Sequence, residues 1–148
     1  MSTANRLQDP RSQVQSLLDS WVQAVQAKDV ARIVGHYATD VVAYDAILQL
    51  QFKGREAYGA HWQACMEMCA GPGFFEVHEP TLLLGDDLAL GFYLCHCGGS
   101  DDKGQEQASW MRVSQGYQKR DGRWLIVHEH FSAPFDMESG KALFDLKP

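Results

Sequence analysis

The sequence has no surplus of basic residues: 13 Lys and Arg stand against 19 Asp and Glu, a net charge of −6. Nucleic-acid phosphates call for a basic face, so a nucleic-acid partner is excluded. Apolar runs long enough to cross a membrane, about 18 residues, are also missing, and no membrane partner is expected. The opening stretch MSTANRLQDPRSQ has no apolar core, so it does not read as a secretory signal. The four cysteines fall as Cys65/Cys69 and Cys95/Cys97, neither pair at C-x-x-C spacing. A cytoplasmic protein with reduced thiols is the expectation. Repeats, low-complexity tracts and linkers are absent too, so residues 1–148 read as a single domain with a real core.

The first half of the chain carries helical signals. Asp9 stands as an N-cap before Pro10, and Val14, Leu17, Leu18, Trp21 and Val25 follow at three- and four-residue steps. Asp29 caps a second, short helix expected from Val30 to about Tyr37. VVAYDAILQLQFKG reads as two short strands or a hairpin closed by Gly54. REAYGAHWQACMEMCAG reads as a third helix, ended by Gly71-Pro72-Gly73. Four runs rich in aromatic and β-branched residues come next: FFEVHEPTLLLG, DLALGFYLCHCGG, QASWMRVSQGYQKR and RWLIVHEHFSA. Turn residues fill each gap, at Gly85-Asp86-Asp87, Gly98 to Gly104 and Asp121-Gly122. The tail MESGKALFDLKP is assigned a final helical turn. Helices followed by an antiparallel sheet make an α+β domain. One sheet face packs on the helices; the other needs a cover, and a second copy of the chain is the simplest one.

This layout resembles the SnoaL-like and ketosteroid-isomerase-like proteins of the NTF2-like superfamily. The stretches AKDVARIVGHYATDVVAYDA, FKGREAYGAHW, SWMRVSQGYQKRDGRW and LIVHEHFSAPFD carry the likeness, over nearly the whole chain. It implies a cystatin/NTF2-like cone, in which N-terminal helices pack in a curved, mostly antiparallel sheet with a pocket at the open end. It also implies a homodimer formed through the outer sheet face. The isomerases' general base matches Asp45, nine residues before Gly54. Of their three pocket tyrosines, the first matches Trp21, the second is kept as Tyr37 and the third matches Trp62. Their buried, protonated aspartate falls at Ser114. The base is thus retained while the acid side is replaced; an indole N–H is a poor stand-in for an acidic phenol.

Asp45 lies in the apolar stretch VVAYDAIL, where burial would raise its pKa and favour a basic role. A strand-end aspartate hydrogen-bonding a turn is the plain alternative. In DGRWLIVHEHFSAPFD, strict alternation puts Leu125, Val127, Glu129 and Phe131 on one strand face and Trp124, Ile126, His128 and His130 on the other. Positions matching Val127 and Phe131 line the isomerases' pocket. Glu129 is therefore expected inside the cone and the histidines outside, an assignment that a bulge would reverse. Arg112 is expected opposite Glu129, as a register-fixing ion pair or as a clamp for an anionic ligand. His61, Cys65 and Cys69 recur every four residues, and Cys95, His96, Cys97, His128 and His130 are further zinc-type ligands. Cys95 and Cys97 face away from His96, and cysteine is a common core residue, so no metal and no cofactor are assigned. His61 is read as a pocket wall or as a partner of Asp45. Trp21, Tyr37, Tyr44, Trp62 and Phe131 are expected to form an aromatic chamber for a small, mostly apolar molecule, such as a cyclic ketone or polyketide-like compound. Two functions follow. One is proton abstraction next to a carbonyl by Asp45, with Trp21, Tyr37 or Ser114 orienting the oxygen; the other is a non-catalytic binding or assembly module.

Overall fold

The computed structural model describes residues 9–69, 71–100 and 103–148. Most of the polar opening stretch and part of the turn expected at Gly98 to Gly104 lie outside the described residues. Helix α1 spans Pro10–Gln26, with the Asp9 carboxylate accepting from the Arg11 amide. It buries Val14, Leu18, Trp21, Ala24 and Val25, one apolar stripe that turns towards the sheet.

Helix α2 is only Val30–Val34, capped by Asp29. It stops at Gly35, and Tyr37 begins strand β1, Tyr37–Tyr44. The helix expected to reach Tyr37 is therefore shorter, because a β-branched and aromatic run after Gly35 is better placed in a strand. After β1 come β2 (Phe52–Lys53) and helix α3 (Arg55–Met68). The long strands are β3 (Gly73–Leu84), β4 (Leu88–Ser100), β5 (Glu106–Arg120) and β6 (Arg123–Ser132). Asp121 and Gly122, both at positive φ, make the tight turn between β5 and β6.

The six strands form one sheet in the order β2-β1-β6-β5-β4-β3. All neighbours are antiparallel except β1 and β6, which run parallel. Bulges interrupt β3 near His78 and the β5–β6 ladder at Gly116/Tyr117, and bulges bend strands. The tail forms a single isolated turn, closed by the Gly140 amide donating to the Asp136 carbonyl, and no longer helix. Beyond it the Phe144 carbonyl accepts from the Trp110 amide, and Phe135 bridges to Ala142, so the chain continues alongside β5 beyond the end of β6. No helix of the described residues is long and apolar enough to cross a membrane.

Inside the sheet, Gly91 faces Tyr117. A Cβ at Gly91 would sit 2.9 Å from both the ring edge and the hydroxyl of Tyr117. The missing side chain leaves the space into which Tyr117 points.

Candidate functional site

Three elements converge beneath the open end of the sheet. Along β1, Val41 and Ala43 are buried, and the same alternation carries Asp45 to the inner face just past the strand end. On α3, Tyr58, His61, Trp62 and Cys65 recur at three- and four-residue steps and so share one face. On β6, Glu129 and Phe131 point inward.

Asp45 and His61 meet directly, with His61 Nε2 2.5 Å from Asp45 Oδ2. Their side chains are 12% and 7% exposed. An ionised carboxylate only accepts, so His61 Nε2–H is the donor. The imidazole stacks on Phe52 at 4.2 Å between centroids, which fixes its plane. This pair forms the polar part of a cavity of about 150 Å³. The remaining walls include Ile47, Tyr58, Trp62, Phe75, Met111 and Phe131. An open groove of about 500 Å³ lies outside it, lined by Tyr44, Gln49, Gln51 and His130 among others. Asp45 and Phe131 line both spaces, so the carboxylate stands where they meet.

Below the cavity lies a buried polar network. Glu129 has no exposed surface. Its Oε2 accepts from Tyr37 (2.8 Å) and Tyr58 (2.5 Å), and its Oε1 from Gln115 (2.6 Å). Tyr117 in turn donates to Gln115 Oε1 at 2.6 Å, which sets the orientation of that amide. The Tyr37 oxygen accepts from the indoles of both Trp21 (3.0 Å) and Trp62 (3.1 Å). Burial pushes the Glu129 carboxyl up to about 7, against the pull of its three donors. Burial, with the nearby Glu129 charge, also pushes the phenols of Tyr37, Tyr58 and Tyr117 well up.

The sequence-derived candidates therefore separate. Asp45, His61, Trp62 and Phe131 line the cavity. Trp21 and Tyr37 are wholly buried and committed to the network, so neither is free to orient a ligand oxygen. Glu129 points inward as expected but lies under the cavity instead of opening on it. Tyr44 belongs to the outer face, where its ring meets His128 and His130.

Ser114 and Arg112 need correction. The ladder pairs Gln115 with Glu129, Ser114 with His130 and Arg112 with Ser132. Arg112 is exposed and donates to Ser132 Oγ, so it forms no ion pair with Glu129 and clamps no ligand in the cone. Ser114, on that same outer face, cannot reach the cavity. The face assignment along β6 changes midway: Trp124 and Ile126 are buried on the inner side together with Glu129 and Phe131. The ladder skips Val127, so Val127 is the bulged residue and leaves the cavity wall. His128 and His130 stay outside; His128 Nδ1–H donates to the Val42 carbonyl.

The expected zinc-type residues are also split. Cys69 is exposed beyond α3, and His96 stacks on Trp110 on the outer face. Among the described residues no three His, Cys, Asp or Glu side chains are placed to hold a metal. All four cysteines are free thiols. Cys65 Sγ lies 3.7 Å from His61 Nε2, but burial raises its pKa and Asp45 raises it further, so it is no thiolate nucleophile. Sequence reasoning missed Tyr58, Gln115, Phe75 and Met111. The helical spacing Tyr58-His61-Trp62 was the available signal for the first of these.

The family described as SnoaL-like domain matches residues 14–136. Among solved structures, an NTF2-like protein of unknown function from Pseudomonas putida KT2440 is 49% identical, with a TM-score of 0.87, covering 100% of this chain and 99% of that one. A candidate calcium/calmodulin dependent protein kinase II association domain from Xanthomonas campestris is 25% identical, with a TM-score of 0.72, covering 83% and 86%. An NTF2-like protein with a cystatin-like fold from Novosphingobium aromaticivorans is 14% identical, with a TM-score of 0.72, covering 86% and 84%; at that identity it bears on the fold alone. No curated protein matches the chain.

Proposed function

Because the chain belongs to the SnoaL-like domain family, in which fold alone does not fix activity, we propose a function from the cavity itself. The protein binds a small, mostly apolar, carbonyl-bearing molecule there, and Asp45 takes a proton from the carbon next to the carbonyl. The supporting observation is a carboxylate–imidazole pair at 2.5 Å in an otherwise apolar chamber. His61 holds Asp45 Oδ2, which leaves Oδ1 for the ligand. The C–H electron pair moves towards the carbonyl to give an enolate, and the same proton returns from Asp45 to a different carbon. Nothing is oxidised or reduced, so the net change is an isomerisation and needs no cofactor.

This reading is tested with cyclohex-3-enone, whose conversion to conjugated cyclohex-2-enone is followed by ultraviolet absorbance. Asp45→Asn keeps an oxygen for His61 and should fold normally. Loss of a positioned base should cut the rate by roughly 100-fold or more. Undiminished conversion by Asp45→Asn would remove Asp45 as the base.

A second reading, a binding module without turnover, is favoured by one observation. The donors that would stabilise an enolate oxygen are already committed: Tyr37 donates to Glu129 and Trp21 donates to Tyr37. Losing an oxyanion donor typically costs about 100- to 1,000-fold in rate. Binding of cyclohex-2-enone without any conversion of the 3-enone would select this reading.

Either reading includes a homodimer through the outer sheet face. Leu83 on β3 and Leu88, Leu90 and Phe92 on β4 all leave large apolar surface exposed. The likeness to a candidate association domain points the same way. Light scattering should give a dimer mass for the native chain and a monomer mass for Phe92→Glu. A monomeric native chain contradicts the interface.

A further inference from the structure

The dimensions and charges of the two spaces narrow the ligand class, on the premise that the cavity is a binding site. We infer that the ligand is a single uncharged ring, seated in the inner cavity, with one neutral polar substituent directed into the outer groove.

Size comes first. Apolar cavities of roughly 150 Å³ take up benzene, and the inner cavity has that volume. A fused bicyclic or steroid skeleton does not fit in it, which narrows the polyketide-like range expected from the sequence. The chamber has little room to grow downward. Trp62 is tied to Tyr37 and meets Trp21 and Phe131 edge-on at 6.1 and 6.3 Å. Phe75 also meets Trp21 edge-on, at 5.5 Å. Sinking this floor would break the Glu129 network. The side that can yield is the segment 46–51, where Leu48 and Leu50 are about nine-tenths exposed.

Charge is the second constraint. Among the described residues no Lys or Arg lines either space. An anionic ligand would therefore lie beside Asp45 with no counter-charge. A cationic ligand fares no better: His61 already donates to Asp45, and an ammonium would bring three donors to a chamber with one remaining carboxylate oxygen. A neutral ring satisfies both limits. Its substituent passes Asp45 into the groove, where Gln49, Gln51 and His130 offer hydrogen bonds.

The test is an NMR titration that reads the Trp62 indole N–H and the His61 ring, with cyclohex-2-enone, phenol, 2-naphthol, benzoate and benzylamine as probes. The two neutral single rings should saturate shifts at Trp62 and His61. The other three should bind about tenfold more weakly or worse, the loss that follows when overpacking or an unpaired buried charge costs about 1.4 kcal/mol or more. Met111→Ala removes a side chain from the cavity wall and should bring 2-naphthol within reach of Trp62. Tight binding of 2-naphthol, benzoate or benzylamine at Trp62 in the native chain overturns the inference while leaving the binding site intact. No perturbation of Trp62 by any probe, in the native chain or in Met111→Ala, overturns the binding site itself and the inference with it.

Discussion

Replacing Glu129 by alanine will lower the unfolding free energy by about 3–5 kcal/mol, or prevent folding altogether. The carboxylate is the common acceptor for Tyr37, Tyr58 and Gln115, all buried. Removing it leaves three donors without a partner, each at a cost of about 1–3 kcal/mol, and opens a void as well. Relaxation cannot easily rescue them. The Tyr37 oxygen already accepts two indole N–H groups, so its own proton has nowhere else to go. The Gln115 amide is held in place by Tyr117. Urea unfolding of the variant beside the native chain gives the difference. Glu129→Gln preserves the shape and can still accept from both phenols, leaving only the Gln115 amide without its acceptor, so it should lose less. Equal stability of Glu129→Ala and the native protein would show that the network is dispensable.

The stability of the native chain will fall as pH rises from about 4.5 to about 7. Glu129 has its ordinary value near 4.5 when unfolded and is raised to about 7 by burial in the fold. Below 4.5 both states hold the proton, and the contribution is fully present. Between the two values the unfolded chain ionises while the folded one keeps its proton, so the unfolded state gains ground. Above about 7 both are ionised and the loss is complete. A displacement of this size corresponds to roughly 3 kcal/mol. Asp40, held low by its hydrogen bond to Arg120, changes stability in the opposite direction and at more acid pH. The difference between the native chain and Glu129→Gln, measured at a series of pH values, isolates Glu129. A native profile parallel to that of Glu129→Gln between pH 4.5 and 7 would contradict this assignment.

Much of the fold was legible because its signals are local. Asp9-Pro10 and the apolar stripe from Val14 to Val25 are properties of one helix. Asp121-Gly122 is a turn whose two positive φ values suit those residue types. Asp45 was singled out by its apolar setting and by its spacing before Gly54, and its face follows from an unbroken alternation with Val41 and Ala43. The errors arose where pairing across strands decides the outcome. The bulge at Val127 has no compositional mark, yet it changes which residues of β6 share a face. Arg112 was set opposite Glu129 because sequential strands usually pair, but the turn at Asp121-Gly122 and that bulge bring Gln115 there instead. The neutral amide matters chemically: an arginine would have kept Glu129 ionised, whereas Gln115 leaves burial free to raise it. Trp21 and Trp62 were read as degraded pocket tyrosines. They are anchors for Tyr37, a role visible only once three distant elements meet.

Ligand binding requires the space under Asp45 and His61 to be a hollow, ligand-sized chamber. Diffraction from crystals soaked in cyclohex-2-enone tests it most directly. Density for one ring is expected between Trp62, Phe75 and Phe131, with the carbon beside its carbonyl facing the Asp45 carboxylate. Side chains collapsed into that space, or Asp45 turned away from His61 into solvent with no ring bound, would contradict it.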